Sequence, residues 1–250
     1  MTHLKSGPIH SFSGEYDDPL PQTETTGGVG IVNIDGLLRP RADASMRLTG
    51  GTSVRFLSQV ISTMVRDSRL SSIVLRCDSM GGDFGGVPDL AQRIYESRDI
   101  KPIIAHADGW MAGSAFWLCS AATEVIATPS SPGIGGLGMV RTHFSHADYL
   151  EKQGVKVTLI ASTKSPFKTE WNPYEPLTEA AKKHAQSQMD IAHAEMMSAV
   201  ATYRRTDLLV AMRDFGQGRV LLSEDAKEAG LVDSVESFPD LIDRLGGTRR

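Results

Sequence analysis

The sequence predicts an α/β fold with mostly parallel strand pairing, and three observations carry that prediction. Short β-branched runs alternate with segments of helical periodicity along nearly the whole chain. Glycine-bearing loops follow these runs again and again, as in Asp78-Ser-Met-Gly-Gly and Asp108-Gly-Trp-Met-Ala-Gly. A length of 250 residues suffices for one substantial core. One domain is therefore expected over 28–250, behind a flexible arm over 1–27 that is rich in Pro, Gly, Ser, Thr and Asp without periodicity.

The ordered part is expected to open at Val29-Gly-Ile-Val-Asn-Ile, a strand stopped by the turn signal Asp35-Gly36. Residues 39–51 carry charge and glycine and read as a loop. Val54, Leu57, Val60, Ile61, Met64 and Val65 then recur at helical spacing. Ser72-Ile-Val-Leu-Arg-Cys predicts a strand, Val87 to Ser97 a helix, and Pro102-Ile-Ile-Ala-His the next strand. Ser114 to Ala122 is an apolar helix, followed by a strand over Glu124 to Ala127 and the glycine-rich Gly133-Ile-Gly-Gly-Leu-Gly. A further strand is expected over Val155 to Ile160. Met189, Ala192, Met196, Ala199 and Tyr203 mark one face of a long helix with Thr178 as its N-cap. A short helix from Ser223 to Ala229 ends at Gly230.

Composition narrows the function. A hydrophobic content of 40% and a charged content of 22% suit a globular enzyme. A net charge of -4 gives neither a basic stripe for nucleic acid nor a polybasic patch for anionic lipid. No apolar run reaches the roughly 18–20 residues that a membrane span needs. The start of the chain lacks the charged and apolar regions of a secretory signal. A protein without a membrane partner, residing in the cytoplasm or inside an assembly, is expected. Cys77 and Cys119 stand in apolar contexts without metal-ligand spacing and read as buried, reduced thiols.

Most serine hydrolases use histidine as base, yet none of the seven histidines has a neighbouring carboxylate placed to orient it. His143 and His146 form the one metal-like spacing, without a third ligand, so neither a metal nor another cofactor is expected. The two strand-end loops are more informative, because open α/β sheets place their sites there. Gly81-Gly82 lets backbone N–H groups approach a ligand with no Cβ in the way. Ser114 opens an apolar helix at its positive end. By themselves these features also fit an ordinary glycine turn and a serine cap.

Several ordered motifs go further. Ile34-Asp-Gly-Leu-Leu, Gly51-Thr-Ser, Ile73-Val-Leu-Arg-Cys-Asp-Ser-Met-Gly-Gly and Met111-Ala-Gly-Ser-Ala-Phe-Trp-Leu-Cys-Ser-Ala-Ala come first. Gly135-Gly-Leu-Gly-Met-Val, Phe167-Lys-Thr-Glu-Trp-Asn-Pro-Tyr-Glu-Pro-Leu and Gly218-Arg-Val-Leu-Leu-Ser-Glu-Asp-Ala-Lys-Glu-Ala-Gly-Leu-Val-Asp complete the series. Through them, from about 28 to 245, the chain resembles the signal peptide peptidase A family, above all its soluble branch of phage head-maturation (prohead) proteases. The resemblance implies a Clp-protease/crotonase type of α/β fold, built of repeated strand-strand-helix units with a C-terminal helical extension. It implies a serine nucleophile at Ser114 and a lysine general base at Lys168, the lysine that precedes Asn172-Pro173-Tyr174. Phe167 or Trp171 would bury that lysine and lower its pKa, because desolvation disfavours the charged form. The neutral amine could then deprotonate Ser114.

The backbone N–H groups of Gly82 and Ala115 would hold the oxyanion. The glycines Gly81, Gly85, Gly86, Gly135 and Gly136 would line an extended polypeptide substrate bound as an added strand. A homo-oligomer, a ring by the family pattern, is expected to cleave scaffold, coat or portal polypeptides of a capsid. Two alternatives are a degenerate member acting in capsid assembly and a bacterial housekeeping relative. A crotonase-like acyl-CoA enzyme is disfavoured for want of an acidic base near the glycine loops.

The chain departs from the family pattern at three places. Met80 stands where proline precedes the glycine pair, and Gly136 where a serine could orient the lysine. The stretch between Ser114 and Phe116-Trp117 is one residue short. Anchoring on Trp117-Leu-Cys-Ser-Ala-Ala puts Gly113 at the nucleophile position, whereas anchoring on Met111-Ala puts Ser114 there. Ser114 is preferred because the chemistry needs a hydroxyl at the helix start.

Overall fold

The computed structural model describes residues 22–246. Strand β1 (Thr23–Thr26) turns back through Gly27-Gly28 and pairs antiparallel with β2 (Val29–Arg39). The expected arm therefore ends sooner than the sequence suggests, and its remainder, residues 1–21, lies outside the described residues. Helix α1 (Ala44–Thr49) interrupts the expected loop over 39–51. Its N-cap is Asp43, whose Oδ1 accepts the Met46 N–H at 3.0 Å, and the buried Met46 side chain anchors it. The two-residue strand β3 (Thr52–Ser53) leads into helix α2 (Val54–Arg66). Strand β4 (Ser72–Gly82), helix α3 (Val87–Ser97), strand β5 (Ile103–Ala112) and helix α4 (Ser114–Ser120) follow. Strands β6 (Glu124–Ala127) and β7 (Ile134–Gly135) complete this half of the chain.

Beyond β7 come helix α5 (Ala147–Lys152), a 3-10 turn (Pro166–Thr169) and the long helix α6 (Glu179–Tyr203). Thr178 caps α6 as expected, its Oγ1 accepting the Ala181 N–H at 3.2 Å. Helix α7 (Leu208–Asp214), strand β8 (Val220–Leu221), helix α8 (Ser223–Glu228), strand β9 (Ser234–Val235) and helix α9 (Phe238–Arg244) end the described chain. The α/β class and the strand-helix alternation expected from the sequence are present. Val155 to Ile160 is a correction: it forms no strand. Val155, Val157 and Ile160 are exposed there, and β-branched residues without a neighbouring strand have no ladder to join.

The chain forms two compact units, a division not drawn from the sequence: 139–195 is one, and the described residues on either side form the other. The larger unit holds the sheet, in the order β1-β2-β4-β5-β6-β9, with β2, β4, β5, β6 and β9 successively parallel. Both faces are covered, as parallel sheets require. On one, Val29, Ile31, Val74, Ile104 and Ile126 pack with Leu241 and Ile242 of α9. Helix α2 buries Val54, Leu57, Ile61 and Met64, and α3 buries Val87, Leu90, Ala91 and Ile94, each an amphipathic stripe. Helix α4 is buried at every residue, which explains the apolar run Ala115 to Cys119 between its terminal serines. The smaller unit is held by short local ties. His146 N–H donates to the Pro173 carbonyl at 2.7 Å, and the Arg141 guanidinium lies 4.0 Å above the Trp171 ring.

Candidate active site

The parallel strands β4 and β5 deliver their carboxyl ends to one place, and irregular pairing there shapes the site. Against β2, the β4 register runs Asp35 with Asp78 and then Leu37 with Gly81, so β4 bulges by one residue. Against β5 it runs Cys77 with Ala107 and then Ser79 with Met111, leaving Asp108, Gly109 and Trp110 opposite Asp78 alone. Side chains replace the lost ladder bonds. Ser79 Oγ donates to the Gly36 carbonyl at 2.5 Å and accepts the Gly81 N–H at 3.1 Å. Asp78 Oδ1 accepts the Trp110 N–H at 2.9 Å.

Gly113 follows β5 at φ 55 and ψ -128, a conformation that favours glycine. Its N–H donates to the Gly135 carbonyl at 2.8 Å, and its carbonyl accepts the Trp117 N–H at 3.0 Å. Ser114 is thereby the first residue of α4, 7% exposed, with its Oγ donating to the Gly82 carbonyl at 3.3 Å. Of the two possible alignments, the structure thus gives Gly113 the turn and Ser114 the helix start. Gly81 is required by contact: a Cβ there would stand 2.8 Å from Ser114 N and 2.8 Å from the Ala112 carbonyl. Gly82 lies equally close to β2, where a Cβ would meet the Leu38 carbonyl at 2.4 Å. Ala115 is fully buried in the first turn of α4, where helix N–H groups lack intrahelical partners.

The sequence-predicted residues divide. Ser114, Ala115, Gly81, Gly82, Gly135 and Gly136 gather around the turn. Gly136 takes φ 57, and a Cβ there would stand 3.2 Å from Val220 Cγ1 and 3.4 Å from Ala112 Cβ. The missing serine hydroxyl thus has a backbone reason. Gly135 is already paired on both sides, with Ala112 of β5 and Val220 of β8. Gly85 and Gly86 are corrected: they form the turn into α3, where Gly86 is the left-handed N-cap, and offer no extended edge.

Lys168 belongs to the smaller unit, on the 3-10 turn, and its side chain is exposed. The expected burial by its neighbours is a second correction. Phe167 is itself 72% exposed, and the Trp171 ring is occupied by the Arg141 guanidinium and, edge-on, by His143.

Charged groups line the strands beneath the turn. Arg76 Nε and Asp108 Oδ2 pair at 2.9 Å, and the guanidinium lies 4.4 Å from the Phe238 ring centroid. The Asp35 carboxyl is held above its ordinary pKa by desolvation, then by the neighbouring charge of Asp78. Among the described residues no group of three His, Cys, Asp or Glu could hold a metal. The roles of Asp78 and Ser79 were missed in the sequence, although a carboxylate and a hydroxyl one residue ahead of a glycine pair are a signal for such side-chain bonds.

A serine set at the start of a buried helix by a tight glycine turn, at the carboxyl edge of a parallel sheet and with a glycine pair packed against it, is an arrangement in which α/β hydrolytic folds can place a nucleophile. The model of peptidase family S49 matches residues 96–248, and the chain belongs to that family. It is 28% identical over 234 residues to the capsid assembly protease C of Escherichia phage lambda, covering 93% of this chain and 52% of that protein. It is 29% identical over 215 residues to the head-tail preconnector protein GP5 of Enterobacteria phage P21, covering 86% of this chain and 42% of that protein. Protease 4 of Salmonella typhi is 25% identical over 246 residues, covering 91% of this chain and 36% of that protein. The chain thus spans about half the length of the two phage relatives, or less.

Proposed function

We propose that this chain is a serine endopeptidase that uses Ser114 as nucleophile and Lys168 as general base. The observation that carries the reading is the seating of Ser114 in a chain of family S49: first residue of a buried helix, Oγ against the glycine pair. In the proposed reaction, the Lys168 amine takes the hydroxyl proton, and Oγ leaves the Gly82 carbonyl to attack the peptide carbonyl carbon. The acyl-enzyme forms as the amine product departs with a proton returned by Lys168, and water then hydrolyses the ester. The N–H groups of Gly82 and Ala115 hold the oxyanion, each such donor contributing roughly 3 kcal/mol at the barrier.

An ordinary lysine, with a pKa of about 10.4, is protonated at neutral pH. In the proposal the exposed Lys168 is covered in the working complex, by the bound peptide or by another copy of the chain. The substrate is an extended polypeptide lying along Gly81 and Gly136, with Gly135 supporting the turn from behind. Because its relatives include a capsid assembly protease and a head-tail preconnector protein, the proposed substrates are scaffold, coat or portal polypeptides of a phage head. The proposed working form is a homo-oligomer.

The test measures peptide cleavage and labelling by a fluorophosphonate probe. Ser114→Ala should abolish both while the protein stays folded. Lys168→Ala should abolish both as well, and Lys164→Ala, a nearby solvent-exposed lysine, should leave them intact. Cleavage by folded Ser114→Ala would overturn the nucleophile assignment. A wild-type oligomer that neither cleaves nor labels would favour the non-catalytic role in capsid assembly.

A further inference from the structure

We infer that Asp78 and Ser79 are positioning residues that set the nucleophile turn against the glycine pair, an inference that rests on the proposed role of Ser114. The two register shifts of β4 fall at these residues, the one against β5 at Asp78 and the one against β2 at Ser79 and Met80. At such a place a sheet loses ladder bonds on both edges at once, and its strand ends are free to slide. Each of the two side chains restores one edge.

Ser79 works toward β2. It is 1% exposed, so its hydroxyl has no water to exchange with, and both its donor and its acceptor capacity are used. The bond from Gly81 N–H fixes the residue whose Cα packs on Ser114 N, and the bond to the Gly36 carbonyl ties that residue to the neighbouring strand. Asp78 works toward β5. Its carboxylate fills the space opposite the three-residue excursion, taking the Trp110 N–H four residues before Ser114. Gly109 exists to admit it: a Cβ there would stand 2.2 Å from Asp78 Oδ1. Ser131 Oγ, donating to the Gly109 carbonyl at 2.7 Å, holds the other side of the same excursion. Adjacent side chains thus point bonds to opposite strands, and the two segments so fixed carry the proposed nucleophile and the proposed oxyanion donor. Neither side chain is assigned any contact with substrate.

Displacements of about 1 Å at reacting atoms cost on the order of a hundredfold in rate. Ser79→Ala should therefore lower kcat by about that factor with KM within about threefold, and Ser79→Thr, which keeps the hydroxyl, should recover most of the loss. Asp78 is exposed, so its replacement should leave the core packing intact. Asp78→Ala should lower kcat on the order of tenfold, and Asp78→Asn, which still accepts the Trp110 N–H, should restore it. Gly109→Ala should mimic Asp78→Ala by pushing the carboxylate aside.

Amide hydrogen exchange supplies a readout independent of catalysis. In Ser79→Ala exchange should rise over 79–83, and in Asp78→Ala over 108–114, with α2 and β6 unchanged in both. Wild-type kcat in Asp78→Ala and Gly109→Ala, or local exchange unaltered in either, would overturn the inference. So would an Asp78→Asn variant as impaired as Asp78→Ala, because charge and not the hydrogen bond would then be responsible. If Ser79→Ala does not fold, the Asp78 and Gly109 variants still decide. If the wild type shows no peptidase activity, the peptidase reading fails, and the exchange data still decide whether these side chains hold the turn.

Discussion

Single residues around the turn are constrained by contact and not by preference. Gly81 sits at φ 93 with Ser114 N and the Ala112 carbonyl where a Cβ would go. Gly81→Ala should therefore displace the turn, lowering peptide cleavage on the order of a hundredfold or more in the folded fraction, as steady-state assays would show. A variant with wild-type rates would mean that the turn is softer than its packing implies. Cys77 and Cys119 illustrate the opposite case, residues with reactive chemistry that the fold silences. Both are fully buried, and the hydrogen bond to Cys119, with desolvation, pushes the Cys77 thiol well above its ordinary pKa. Neither thiol should react with Ellman's reagent in the native protein at pH 8, and both should react once it is unfolded. Their burial was legible in the sequence from apolar neighbours, but their mutual contact was not, since it depends on α4 crossing β4.

At the scale of elements, helix α9 and β5 show how a buried ring can make docking pH-sensitive. His106 is fully buried in β5, with Nε2 at 3.0 Å from the Glu236 carbonyl, Phe238 of α9 edge-on at 5.3 Å, and Nδ1 unpaired. The groups facing it are Asp108, Arg76 and Glu236, and desolvation, the largest influence, holds its pKa below the ordinary 6.5. The unfolded chain therefore binds a proton more readily than the folded one. The stability that neutral His106 contributes is present above about 6.5 and is lost as the pH falls through that value toward the depressed pKa. The melting temperature should drop between pH 7 and pH 5, and by less in His106→Gln. Equal slopes in the two proteins would remove His106 as the cause. The strands and most helices were readable because their signals are local: the stripes of α2 and α3 repeat at helical spacing, and Thr178 announces α6. Val155 to Ile160 misled for the same reason, since β-propensity is local and a strand also needs a neighbour.

For the whole molecule, the covering proposed for Lys168 ties the chemistry to assembly. Desolvation favours the neutral amine that a lysine base needs, and a second copy of the chain is one source of it. In light scattering at micromolar concentration the protein should be an oligomer, and the activity per chain should fall on dilution into monomers. A fully active monomer would leave the substrate as the only cover. The sequence by itself determined the α/β class, the main strands and helices from β2 to β6 with the long helix α6, the family and the identity of the glycine-flanked serine. Each of these is written in periodicity or in short contiguous motifs. Tertiary structure alone decided that Gly113 takes the turn while Ser114 starts the helix. It also showed that Gly85 and Gly86 present no strand edge, that β1 extends the sheet, and that Asp78 and Ser79 bond to opposite neighbours. These features depend on which strands lie side by side and on where their register slips, and hydrogen bonds between residues some thirty or forty positions apart leave no mark in a local pattern.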